Sequence, residues 1–152
     1  GDDQFYEDDA VVVYKIPKPN SSEPFLVLGS GWHVFDADTM LRGTMKNSEI
    51  LIVNPTNSEM YATLNVVLSS LEKEKTITVS VNNGEQSRIN IQPTFQDMQI
   101  KDFILKPGVN VVTFDTNEFT IMEYSLQGTD IGKRQKTTIS FNVQSISITI
   151  QP

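Results

Sequence analysis

The chain has no cysteine, one histidine, one tryptophan, three alanines in 152 residues and no apolar run approaching 18 residues. Each scarcity excludes something. Without cysteine there is no thiolate nucleophile, no thiolate metal site and no redox switch. Disulfides are not needed either, because a chain of this length buries roughly two thirds of its unfolded surface and can hold a core unaided. His33 is the only imidazole, so a zinc site would have a single nitrogen ligand and a hydroxyl nucleophile a single base. It follows Gly29-Ser30-Gly31-Trp32, where the serine lies between glycines but not at the spacing of a nucleophile elbow. The missing apolar run excludes insertion of a spanning helix into a membrane. The N-terminus is acidic where a secretory signal is basic and apolar.

Bases are few as well, 12 Lys and Arg against 19 Asp and Glu, for a net charge of −7. That figure misrepresents most of the chain. Five of the acids (Asp2, Asp3, Glu7, Asp8 and Asp9) fall in the first nine residues, so residues 10 to 152 carry 14 acids against 12 bases. The expected organisation is an acidic lead-in over residues 1–9, continuing from an upstream region, and one domain over residues 10–152. The densest basic cluster, Lys133, Arg134 and Lys136 beside Gly128 and Gly132, is too small to neutralise a phosphate backbone, so nucleic acid is excluded as a partner.

What is abundant is branching at Cβ. Val, Ile and Thr number 14 each, and such side chains suit a pleated, half-buried surface. Ala62, Leu64, Val66 and Leu68 alternate with Tyr61, Thr63, Asn65 and Val67, and Ile77, Val79 and Val81 alternate with Thr76, Thr78 and Ser80. Each is a strand with one wet face. Further strands are expected over residues 10 to 16, 25 to 28, 49 to 54, 86 to 92, 98 to 105, 109 to 115 and 137 to 151. Asn83-Gly84, Pro107-Gly108 and Asn54-Pro55-Thr56-Asn57 supply turn chemistry between them. About nine short strands so punctuated give an all-β sandwich or barrel with almost no helix. In the last strand Ile139, Phe141 and Val143 share one phase and Ile146, Ile148 and Ile150 the other. A slip at Gln144-Ser145 means a bulge or bend, or else two separate short strands.

Catalytic chemistry has little to work with. Asp36-Ala37-Asp38 is the one local carboxylate pair; it suits Ca2+ through hard oxygens, a glycosidase pair, or simple solvation in a loop. Sugar binding is more compatible, since an aromatic ring offers a platform to a pyranose face while polar side chains bond its hydroxyls. Trp32 is one candidate, with His33, Asp36 and Arg42 close in sequence; the alternative for a sandwich tryptophan is a core plug. Tyr61, on the polar phase of its strand, is the second candidate. Asn20-Ser21-Ser22 is the only N-glycosylation sequon and is consistent with an extracytoplasmic location.

Three stretches carry a resemblance: YEDDAVVVYKIP (residues 6 to 17); LGSGWHVFD with Arg42 and Met45, leading into SEILIVNPTN (residues 48 to 57); and LKPGVNVVTF (residues 105 to 114). Together they resemble the C-terminal extracytoplasmic domains of archaeal and bacterial polytopic membrane proteins of the glycosyltransferase type. Tyr6, Glu7, Asp8, Gly31, Trp32, Arg42, Met45, Asn54, Pro55, Asn83, Gly84, Gly108 and Asn110 fit that pattern, and ISFNVQSISI resembles its closing strand. The family's Arg-Trp-Met tryptophan would fall near Thr44, and no Trp-Trp-Asp motif of oligosaccharyltransferases is present. The resemblance implies a jelly-roll-like antiparallel β-sandwich, similar to carbohydrate-binding modules, tethered outside a membrane, with catalysis in a separate membrane part.

The expected function is therefore a non-catalytic accessory domain of a membrane glycosyltransferase-like protein that binds glycan or acceptor through Trp32, His33, Asp36, Arg42 and Tyr61. No cofactor is expected beyond Ca2+ at Asp36 and Asp38. The alternative is a structural domain packing on its own membrane domain or another protein without binding sugar; an independent glycoside hydrolase is the third reading.

Overall fold

The computed structural model describes residues 22–33, 41–125 and 134–151. The acidic lead-in, the strand expected over residues 10 to 16, and Asp36 and Asp38 lie outside the described residues. Among the described residues there are eleven strands and no helix. In chain order they are β1 (Phe25–Leu28), β2 (Arg42–Gly43), β3 (Asn47–Asn54), β4 (Met60–Ser69), β5 (Lys75–Val81), β6 (Ser87–Ile91), β7 (Gln96–Leu105), β8 (Gly108–Asp115), β9 (Thr120–Ser125), β10 (Arg134–Ile139) and β11 (Asn142–Ile150). A five-stranded sheet has the order β1-β3-β8-β5-β6, a four-stranded sheet the order β2-β11-β4-β7, and β9 and β10 form a separate ribbon. All pairings are antiparallel.

The period of two explains the layering. Ile50 and Ile52 of β3, Ile77 and Val79 of β5, and Val112 and Phe114 of β8 point inward from one sheet. Ala62, Leu64, Val66 and Leu68 of β4, with Met98 and Leu105 of β7, meet them from the other in one buried cluster. Phe114 of β8 meets Phe141, in the link between β10 and β11, edge to face with ring centroids 6.0 Å apart, an arrangement that adds about 1 kcal/mol to the area buried. The result is a β-sandwich, as the alternation requires.

The expected strand over residues 137 to 151 divides in two. Its first part joins the ribbon as β10; the chain breaks at Ser140 and Phe141, and β11 then enters the four-stranded sheet. Inside β11 the register against β4 shifts between Val143 and Ser145, which leaves Gln144 as the extra residue of a bulge. The phase slip thus marks a bulge, and the crossing to a new partner occurs one turn of chain earlier. Two strands had no usable pattern: β2 is two residues long, and β9 mixes polar and apolar residues in both phases.

The turns are built by side chains that bond the backbone. Asn82 and Asn83 both have positive φ (51° and 57°), and Gly84 N–H donates to Val81 O, so the tight turn is centred on Asn82-Asn83, one residue before the expected Asn83-Gly84 pair; asparagine tolerates that conformation. Gly108 has φ +86°, as a type II turn with Pro107 demands. Asn110, fully buried, donates through Nδ2 to Lys106 O and Gly108 O, and its Oδ1 accepts from Lys106 N–H and Asn82 Nδ2. Asn110→Ala should cost about 2 kcal/mol, because the orphaned buried groups lose their partners while water reaches only the turn's outer side. A urea unfolding curve with an unchanged midpoint would refute this role.

Candidate functional site

Two patches gather the residues singled out by the sequence. The first is where β1 leaves its sheet. Gly31, with φ +86°, lets the chain pass against Asn47, and its carbonyl accepts from Met45 N–H. Trp32 then bridges to Thr44, donates from Nε1 to Glu49 O at 2.8 Å, and packs its half-buried ring against the core. Arg42, 3% exposed, donates from Nη1 to His33 O at 2.6 Å. His33 Nε2 lies 2.8 Å from Thr138 O, which requires its proton on Nε2. The structure therefore brings Trp32, His33 and Arg42 together and directs the named nitrogens at backbone carbonyls. They form a joint between β1, β3 and β10. Asp36, the fourth member of that expected group, lies outside the described residues, as does Asp38, so the Ca2+ pair does too. Among the described residues no group of three or more His, Asp or Glu is placed to hold a metal ion.

The second patch is the outer face of the four-stranded sheet. Tyr61 is 55% exposed there, paired with Ile104, itself 41% exposed. Farther along β4, Asn65 lies opposite Gln99 of β7 and Ser147 of β11. Gln99 Nε2 donates to Asn65 Oδ1 at 2.8 Å, and Asn65 Nδ2 reaches Thr149 Oγ1 at 3.4 Å, so a hydrogen-bonded row of side chains crosses three strands. A second bridge joins Gln151 Nε2 to Asp102 Oδ1 across the same strand. Asp102 has φ +54° at the β7 irregularity, which re-aims its side chain in the way bulges do.

Tyr61 was a candidate on sequence grounds; Asn65, Gln99 and Thr149 were not. All three occupy the polar phase of strands expected from the sequence, but only cross-strand register makes them neighbours. The two patches are far apart: Thr44 of the first pairs with Phe141, and Tyr61 O accepts from Gln151 N–H, ten residues on and about 30 Å along an extended strand.

A third feature was missed although it had a signal. Lys75 shares the inward phase of Ile77 and Val79 and is 1% exposed. Its ammonium donates to Thr120 Oγ1 and Ser140 O, each at 2.8 Å, and lies 3.4 Å from Ile139 O. Burial pushes its pKa down from 10.5 and neighbouring Lys73 adds to the effect, while Glu118 and Glu72 oppose it.

No protein family and no curated protein matches the chain. Among solved structures it is similar to the GH26-CBM35 β-(1,4)-mannanase of Podospora anserina, at 14% identity and a TM-score of 0.55 over 87% of this chain and 28% of that one. Looser likenesses are to the CBM35 from Cellvibrio japonicus Abf62 (17% identity, 98% and 91% covered, TM-score 0.42) and to Xyl-CBM35 in complex with a glucuronic acid-containing disaccharide (14%, 98% and 91%, TM-score 0.43). The chain spans about 28% of the length of the mannanase. The fold is a jelly-roll-like β-sandwich of the kind seen in carbohydrate-binding modules.

Proposed function

We propose that the chain is a non-catalytic, glycan-binding β-sandwich, and that it serves a membrane glycosyltransferase-like protein on the extracytoplasmic side by holding glycan or acceptor. One observation carries the binding reading: Tyr61 stands exposed on a polar sheet face, its ring available to stack on a pyranose, and farther along the same face lie side chains already fixed by hydrogen bonds. The likeness to a chain that includes a CBM35 supports it. The membrane context rests on the sequence resemblance alone.

Titration against a glycan panel tests the proposal. Tyr61→Ala should weaken binding about fivefold or more, since stacking of a ring on an aromatic side chain is worth about 1 to 3 kcal/mol by alanine substitution, and should leave the fold intact because the side chain is mostly exposed. Trp32 emission should stay constant on binding, as the sole tryptophan lies at the far end of β11. A ligand that shifts Trp32 emission and ignores Tyr61→Ala would move the site to the Trp32 joint; a panel without any binder would refute the function. The second reading, an interaction domain, is favoured by Phe119 and Ile121, 53% and 58% exposed on either side of buried Thr120.

A further inference from the structure

We infer that the outer face of the four-stranded sheet takes a linear, uncharged oligosaccharide lengthwise along β4, with one sugar on Tyr61 and another on the Asn65–Gln99 row. This rests on the glycan-binding reading and specifies its ligand. Tyr61 and Asn65 are four residues apart on one strand, about 13 Å at the rise of an extended chain. A single pyranose cannot touch both, and a trisaccharide can. The orientation follows from the same two features, because the ring and the amide row lie one behind the other on β4 and not side by side across the sheet.

The row is prepared for hydroxyl groups. Gln99 spends one N–H on Asn65, and Asn65 spends one on Thr149. Each amide has a second N–H, and Gln99 keeps its carbonyl oxygen, with no partner for them among the described residues. Held in place before binding, these groups lose little side-chain freedom when a sugar arrives. The β7 side of the path also sets the charge of the ligand. Asp97, opposite Val67, and Asp102, bonded by Gln151, are both exposed on that strand, whose own sequence holds one cation, Lys101. A uronic acid lying there would meet like charge.

Calorimetric titration of the folded chain with neutral β-linked gluco-, manno- and galacto-oligosaccharides of one to six sugars tests this, with a uronic acid-bearing trisaccharide as a further arm. Affinity should rise at least tenfold from one sugar to three and then level off, and the acidic trisaccharide should bind more weakly than its neutral counterpart. Gln99→Ala, an exposed change that leaves the core untouched, should lose about fivefold for the trisaccharide and nothing for the monosaccharide. Equal affinity for one sugar and three, indifference to Gln99→Ala, or preference for the acidic ligand would overturn the lengthwise, uncharged assignment while Tyr61-dependent binding still upheld the function. Absence of binding by every sugar would overturn both.

Discussion

Lys75→Met is expected to lower the unfolding free energy by about 3 kcal/mol, which in a chain of this size is roughly a 10 °C fall in melting temperature. The volume is nearly conserved, so the loss comes from the oxygens left behind. Thr120 Oγ1, Ser140 O and Ile139 O converge on the ammonium from the base of the β9–β10 ribbon, and methionine offers them nothing. Lys75 therefore fastens the ribbon to β5. Thr116 Oγ1, donating to Thr76 O, and Thr76 N–H, donating to Glu118, are the only other side-chain bonds among the described residues between β5 and the segment entering β9. Equilibrium unfolding in urea measures the change; a difference below about 1 kcal/mol would mean that water replaces the ammonium without loss.

The pH dependence gives a second reading of the same side chain. Burial lowers the Lys75 pKa in the folded chain below its value of 10.5 in the unfolded one. Between those two values the unfolded chain binds more protons, so stability rises with pH across that window and falls as pH drops through the folded pKa. The neutral amine still donates two hydrogen bonds to the oxygens it faces. The gap between wild type and Lys75→Met should accordingly widen as pH is raised toward 10.5, other groups cancelling in the difference. A gap that narrows instead would show the ammonium to be favoured by its cage over water.

Gly31→Ala should be costlier, about 4 kcal/mol, enough to deplete the folded population seriously. A Cβ on Gly31 would fall 1.8 Å from Asn47 O and 2.7 Å from Ser48 Cα, both backbone atoms of β3, and φ +86° disfavours any side chain in addition. Neither strand can retreat cheaply. Gly29 N–H bonds Glu49 O, Glu49 N–H bonds Ser30 O, and Met45 N–H bonds Gly31 O, so a shift at Gly31 loosens the hydrogen bonds that seat Trp32 as well. Gly108→Ala is the control: φ is also +86°, but nothing lies within 4 Å of the added carbon, and the cost should be about 1 kcal/mol. Equal losses for the two variants would show that backbone conformation alone, and not the approach to β3, makes Gly31 necessary.

Local pattern was enough for most of the architecture. Residues 25 to 28 were legible as a strand in full, and β3 through β8 differ from expectation only by a residue or two at their ends. The slip after Val143 was legible because a period of two leaves no room for an extra residue without one. Asn110 and Gly108 stood in the turn-rich stretch that the resemblance picked out. The inward lysine was legible in principle, since Lys75 keeps the phase of Ile77, but a charge at a strand end is ordinarily assigned to solvent.

The sequence by itself determined an all-β chain, a slip of phase near its end, a nearly neutral body after residue 9 and the absence of any thiol, because these follow from residue types and their spacing over a few positions. Tertiary structure decided which aromatic is free. Trp32 and Arg42 turn inward because Gly31 carries the chain against β3 and the carbonyls of Glu49 and His33 are there to receive them. Tyr61 stays outside, and Asn65, Gln99 and Thr149 become neighbours only through the pairing of β11, β4 and β7. Register joins residues far apart in the chain, and no local period specifies it.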